Sequence, residues 1–212
     1  MDTYTRKLRE IKSILVKYKN RIGLKNRRFT IISNNCWGGF VYQKFGLEYR
    51  TSFIGLFIFA PDYLRLLANL KEVIFSEVNF IAAKDSKYVE DILVNNELPK
   101  YPIGVLGDNI EIHFLHYKNE KEALEKWNKR VKRIDFTNML IKLSDVDRCT
   151  EEIIREFDSL NYKNKLCFTA KEYKDIKSAI HIKECDNLQE VRGEWRYYES
   201  YINIKKYLNK MK

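Results

Sequence analysis

The chain has 212 residues, 45% of them apolar, with only 3 Pro and 8 Gly. That composition suits one globular domain and excludes collagen-like, low-complexity and long-linker architectures. Its formal net charge is +10, and the first 28 residues supply +8 of it through ten Lys/Arg set against Asp2 and Glu10, so the basic character belongs to an arm and not to the body.

In chain order, residues 1–27 form the basic arm. Leu8, Ile11, Leu15, Tyr18 and Ile22 recur at spacings of three and four, which places them on one helical face with Lys and Arg around them, and Gly23 supplies a stop. Such a helix either docks on the domain with its basic back in solvent or lies on an anionic membrane surface through residues 1–22. A nucleic-acid arm is the weakest reading, because binders of that class usually carry the basic patch on the folded body as well.

Residues 28–212 read as one α/β domain. Arg28–Ser33 is expected as strand, Gly39–Phe45 as helix and Ser52–Phe59 as strand. Pro61 opens a helix whose apolar face carries Tyr63, Leu64, Leu67 and Leu70. Val78–Ala82 is a short strand, and residues 101–106 and 109–115 form a hairpin closed at Gly107-Asp108. A helix over Asn119–Ile134 presents Leu124, Trp127, Val131 and Ile134, followed by strand 138–143, helix 148–160, strands 165–168 and 179–182, and a final helix from Gly193. Strands separated by helices of this length predict a single-domain three-layer α/β sandwich with a mixed, mostly parallel sheet.

The four cysteines form no CxxC pair, and His113, His116 and His181 do not join them in a zinc spacing. No metal site, cofactor or disulfide framework is therefore expected. The charged N-terminus lacks the apolar region of a signal peptide, and no apolar run reaches the ~20 residues of a membrane span. The sequence reads as a cytoplasmic protein with free thiols, peripheral on the inner membrane face if the arm binds lipid.

Ligand crevices in open α/β sheets lie beyond the carboxyl ends of the strands. That rule gathers Ser33, Asn34, Asn35, Cys36 and Trp37 after the first strand, His116 after the strand at 109–115, and Ser144, Asp145 and Asp147 after the strand at 138–143. Gly38 and Gly39 allow either a backbone anion site or merely a tight turn. Cys36 at a helix N-terminus, with His116 as base and Asp108 or Asp145 as orienter, reads either as an acyl-transfer site or, more plainly, as a packed thiol. His113 reads as a packed or capped histidine. Trp127, Arg130 and Arg133 share a helical stretch suited to gripping a phosphate or a sugar acid, or else form a core Trp beside a solvated basic face. SDVD at 144–147 looks more like a helix cap than the metal-holding DxD of glycosyltransferases, so a divalent ion is only weakly supported.

Taken together, ISNNCWGGFVYQKFGLEYRTSFIGLFI, the PIG and IHFLHY segments, EALEKWNKRVKRI and the DRCTEEIIREFDSL–KLCFTA stretch resemble the bacterial family of domain of unknown function 1919. Its members are often labelled exopolysaccharide biosynthesis proteins. The resemblance spans roughly residues 28–200 and implies an α/β domain that acts in surface-glycan assembly. Positions recurrent in the family coincide with Asn35, Cys36, Trp37, Gly38, His116, Trp127, Arg130 and Arg133. The functional expectation is a transferase using a nucleotide-sugar or another activated donor, with a non-catalytic glycan- or nucleotide-binding module as the alternative. Neither reading calls for a nucleic-acid partner.

Overall fold

The computed structural model describes residues 3–211; Met1, Asp2 and Lys212, and the side chains of Thr3, Tyr4 and Arg6, lie outside that description. Helix α1 (Thr3–Arg21) leads into β1 (Thr30–Ser33) and α2 (Trp37–Phe45). After an irregular stretch come α3 (Ala60–Ala68), α4 (Leu70–Val73), β2 (Val78–Ile81), α5 (Val89–Ile92), and the hairpin β3 (Ile103–Leu106) and β4 (Ile110–His113). The second half runs α6 (Glu120–Val131), β5 (Met139–Ser144), α7 (Glu151–Ser159), β6 (Lys165–Thr169), β7 (Ala179–His181), α8 (Glu194–Tyr201) and α9 (Ile204–Lys210).

The strands form two sheets. One is parallel throughout, in the order β1-β5-β6-β7; the other is antiparallel, in the order β2-β3-β4. Successive strand residues point to opposite faces, and both faces of the parallel sheet are covered. Ile32, Ile141, Leu143 and Cys167 pack with α3, α6 and α7 on one side, together with Leu106, Ile110 and Ile112 of the antiparallel sheet. Ile31, Leu140, Leu166 and Phe168 pack with α2, α8 and α9 on the other. The fold is thus α/β in three layers, with a four-stranded parallel sheet and a small antiparallel companion in place of one mixed sheet.

The expected strand at Ser52–Phe59 is the clearest correction. The segment is buried from Thr51 to Ile54 and again at Leu56 and Ile58, yet it makes only a single bridge, Phe57 with His113. Its backbone is shared out instead: Ile58 N–H donates to Asn34 O on the parallel side at 2.9 Å, and Phe57 N–H to His113 O on the antiparallel side at 3.0 Å. A continuous apolar run signals burial and leaves the secondary structure open. Here it is the seam between the two sheets. The final helix is also two, because Asn203 ends the run and caps α9 by accepting from Lys206 N–H at 3.0 Å.

The arm is helical as its periodicity predicts, but it docks with the opposite side to the one expected. Arg21 reaches back to the C-terminal carbonyls of α2, with Nε to Phe45 O at 2.9 Å and Nη2 to Gly46 O at 2.6 Å. Asn20 donates to Lys44 O at 3.1 Å. Meanwhile Leu8, Ile11, Leu15, Tyr18 and Ile22 are exposed. Among the described residues no helix is long and apolar enough to cross a membrane.

In the antiparallel sheet, a Cβ on Gly104 would stand 2.5 Å from a Val78 methyl and 2.9 Å from the Phe114 ring. Overpacking of that kind costs about 1–3 kcal/mol. Gly104→Ala should therefore lower the unfolding free energy from urea denaturation by that amount, and an unchanged midpoint would show that β2 and β4 can part.

Candidate functional site

At the carboxyl ends of β1 and β5 the chain buries a charge. Lys142 lies in the middle of β5 with its side chain fully shielded from solvent. Its ammonium contacts Asn35 Oδ1 at 2.9 Å, Glu194 Oε1 at 2.9 Å and Ser144 Oγ. Glu194 Oε1 also accepts from Asn35 Nδ2 at 2.7 Å and from Ser144 Oγ at 2.9 Å. Burial opposes both charges and pushes the Lys142 ammonium down. At Glu194, burial pulls the carboxyl upward, but Lys142 and the hydrogen bonds from Asn35 and Ser144 prevail and hold it below its ordinary value. The site is an ion pair with every partner accounted for, which is the condition under which buried charge is tolerated.

The loop after β1 is built around this pair. Asn34 matches the edge of β5 like a short strand, its Nδ2 donating to Ser144 O at 3.1 Å and its Oδ1 accepting Ser144 N–H at 2.9 Å. Asn35 Oδ1 accepts from Ser33 Oγ at 3.3 Å and from Trp37 N–H at 3.2 Å, an Asx turn that starts α2. Trp37 is buried against Phe168 and Tyr198, so it is core and no stacking platform. Gly38 serves close helix–strand packing, since a Cβ there would lie 3.0 Å from an Ile31 methyl.

Cys36 and His116 do not form the expected couple. Cys36 Sγ faces Leu56 O at 3.7 Å, and burial pushes its thiol up, with Lys142 opposing. A raised thiol is the opposite of what an activated nucleophile needs. His116 is exposed, its backbone N–H donating to Gly55 O at 2.9 Å, and its ring makes no hydrogen bond among the described residues. Asp108 sits in the hairpin turn, at the other end of β4 from His116. Asp145 is committed to the backbone, accepting Ala170 N–H and Val191 N–H at 2.7 Å each; burial nevertheless raises its carboxyl to about 6.

Asp147 belongs to the same rim and is less constrained. Its carboxylate accepts no hydrogen bond among the described residues, and burial, reinforced by Glu190, raises it to about 6. Asp147 and Arg148 both have left-handed backbone, φ 56° and 62°, a strained conformation for consecutive non-glycine residues. The helix cap expected at SDVD is Thr150 instead, which accepts Ile153 N–H at 3.4 Å. No group of three or more His, Cys, Asp or Glu side chains among the described residues converges as metal ligands would.

Trp127, Arg130 and Arg133 lie elsewhere. Trp127 is buried between Phe53 and Phe114. Arg130 and Arg133 come at the end of α6, close to where β1 and β5 begin, because Asp135 N–H donates to Thr30 Oγ1 at 2.9 Å. They face a cavity of about 740 Å³ enclosed by α1, the turn after α2 and α6. Lys17, Arg21, Lys126, Lys129, Arg130 and Arg133 line it, with Glu48 the sole carboxylate and Tyr18 and Tyr49 the aromatic surfaces. Arg130 stands 5.2 Å over the Tyr49 ring and donates to Tyr117 Oη at 2.8 Å. Arg133 pairs with Glu48 at 2.9 Å. Lys17 and Lys129 have no ion pair among the described residues. Arg130 and Arg133 therefore lie at the opposite end of the parallel sheet from the rim that holds Lys142 and Asp147.

Sequence reasoning missed Lys142 and Glu194 altogether. One signal was available, a lone Lys inside the apolar strand MLIKLS, since a charge buried on a sheet face demands a partner. His113 is packed as expected but not capped: both ring nitrogens lack a hydrogen bond, the ring stacks on Phe57, and burial lowers it to about 4.

Glu194→Leu leaves Lys142 buried and unpaired and should cost about 3–5 kcal/mol, with Lys142→Met/Glu194→Leu recovering part of it; a loss under about 1 kcal/mol in the single variant would show that the pair does not hold this edge together. Asp147 gives a pH-dependent test. Its folded value of about 6 exceeds the ordinary 3.8, so folding takes up a proton between those values and the carboxylate opposes folding above them. Asp147→Asn should thus add about 1–2 kcal/mol near pH 8, allowing for partial solvent screening, and nothing near pH 3. An equal gain at both pH values, measured by urea denaturation, would rule out the charge as its cause.

Comparison with known proteins agrees with the resemblance seen in the sequence. An uncharacterized protein of Haemophilus influenzae is 35% identical over 190 residues, covering 86% of this chain and 85% of the relative. The family model described as Domain of unknown function (DUF1919) matches residues 7–212, and the chain belongs to that family.

Proposed function

We propose that the protein binds an anionic glycan or nucleotide-sugar, bearing phosphate or sugar-acid groups, in the basic cavity, and serves surface-polysaccharide assembly as a binding module. The observation that carries this reading is the charge of the cavity: of its six Lys/Arg side chains, Lys126 pairs with Glu122 and Arg133 with Glu48, which leaves Lys17, Arg21, Lys129 and Arg130 without a carboxylate partner among the described residues. Convergent cations around a concave surface concentrate anions. Guanidinium groups grip phosphate or carboxylate bidentately, and Tyr49, already under Arg130, offers a face to a base or sugar ring. The polysaccharide context comes from the family resemblance. Lys17 and Lys129 are free to meet the ligand, whereas Arg130 and Arg133 arrive already oriented by Tyr117 and Glu48.

The transferase reading has one observation in its favour, Asp147. A half-buried carboxylate raised to about 6 on a strained backbone suits a general base, and it sits where α/β sheets hold ligands. This edge and the basic cavity are separated by the length of β5, roughly 20 Å for six residues, so the two readings concern different sites.

Calorimetric titration with UDP-glucose and with inorganic pyrophosphate tests the binding reading. A charge-assisted hydrogen bond contributes about 1.5–3 kcal/mol, so Lys17→Ala/Lys129→Ala should weaken the affinity roughly tenfold or more. Asp147→Asn should leave it unchanged. Affinity indifferent to the double substitution, or no binding of either probe, would overturn the assignment of the cavity.

A further inference from the structure

We propose that α1 docks the protein on an anionic membrane surface through its outward apolar face. An amphipathic helix of a globular protein normally turns its apolar stripe toward the core. Here Lys17, Asn20 and Arg21 face the body, while Ile11, Ile14, Leu15, Tyr18 and Ile22 are between 53% and 67% exposed. Lys7, Lys12 and Lys19 are exposed on the same helix, so the apolar stripe is flanked by positive charge.

Charge decides what covers this face. A second copy of the chain would bring one +8 segment against another, and like charges at that density repel. Anionic lipid supplies the opposite charge over a plane and an apolar layer beneath it, the two things this face can satisfy at once. The helix is too polar to cross a bilayer, so it lies in the interface. Ile14 and Tyr18 belong both to the stripe and to the lining of the basic cavity, so docking brings the cavity to the headgroup layer.

The test is co-sedimentation of the full chain with phosphatidylcholine vesicles, with or without phosphatidylglycerol. Binding is expected only with the anionic lipid and should weaken as salt rises. Ile11→Glu/Leu15→Glu should reduce it about tenfold or more with an unchanged melting curve, since both side chains already face solvent. Lys12→Glu/Lys19→Glu should weaken binding while leaving the stripe intact. Equal binding to neutral vesicles, no binding at all, or retention by the Ile11/Leu15 variant would overturn the proposal. So would a dimer in gel filtration that the same variant dissolves. The cavity is read by calorimetry with soluble probes and the membrane face by co-sedimentation of the Ile11/Leu15 variant, so failure of the cavity assignment and failure of the membrane face are separable.

Discussion

The ion pair between Lys142 and Glu194 is the constraint on which the sheet edge depends. A Lys in the central part of β5, with its side chain fully buried, would leave the fold with a desolvated charge unless a carboxylate reached it. Glu194 arrives from the first residue of α8, more than fifty residues later, placed by Gly193 with φ 66°. Asn35 and Ser144 then saturate the pair from the loop after β1 and from β5 itself. One interaction thereby fixes α8 on the sheet, starts α2 through Asn35 and sets the loop that follows β1. A network satisfied at each member is rigid as well as stable.

The join between the two sheets rests on a different principle. No strand continues from one sheet into the other; residues 51–59 give some backbone groups to β1's loop and some to β4. Buried N–H and C=O groups must find partners, and this segment finds them on two sides because neither sheet alone offers a full ladder. Gly55 fits here with φ 71°, against which the Cβ of His116 packs. His113 occupies the same seam, stacked on Phe57 and edge-on to Phe59, with burial favouring its neutral form.

Much of this was legible in the sequence, and what was not had physical reasons. Helices α2, α3, α6 and α7 follow from the spacing of Val41, Tyr42 and Phe45, of Tyr63, Leu64 and Leu67, of Trp127 and Val131, and of Ile154 and Phe157, all buried. The hairpin follows from Gly107 and its flanking apolar runs. Residues 52–59 read as a strand because a buried apolar segment has the same composition whether it pairs along its length or at one point. The sense in which α1 faces the body was invisible, since periodicity defines a stripe but not what covers it. The rim rule assembled Asn34, Asn35, Ser144, Asp145 and Asp147 correctly, because they directly follow parallel strands. It also gathered His116, which follows a strand of the antiparallel sheet, and it had no bearing on Arg130 and Arg133, which precede β5 and so belong to the parallel sheet's other end.

That separation gives the molecule an electrostatic axis. Asp145, Asp147, Glu190 and Glu194 cluster at the carboxyl end of the parallel strands, where burial, with Glu190 adding to it, raises the carboxyls of Asp145 and Asp147, and Lys142 holds that of Glu194 low. The six cations of the cavity cluster at the amino end. Arg192 and Lys142 compensate Glu190 and Glu194 at the first end, whereas Lys17, Arg21, Lys129 and Arg130 have no carboxylate partner among the described residues at the second, and their field extends over the ~8–10 Å screening length of physiological salt. The exposed stripe of α1 borders the attractive end, and Arg21 binds that helix to the last carbonyls of α2. The same guanidinium that fastens the arm also lines the cavity, so one side chain couples the position of the arm to the shape of the cavity. Any displacement of α1 must open the cavity, and any ligand held by Lys17 and Arg21 must favour the docked arm.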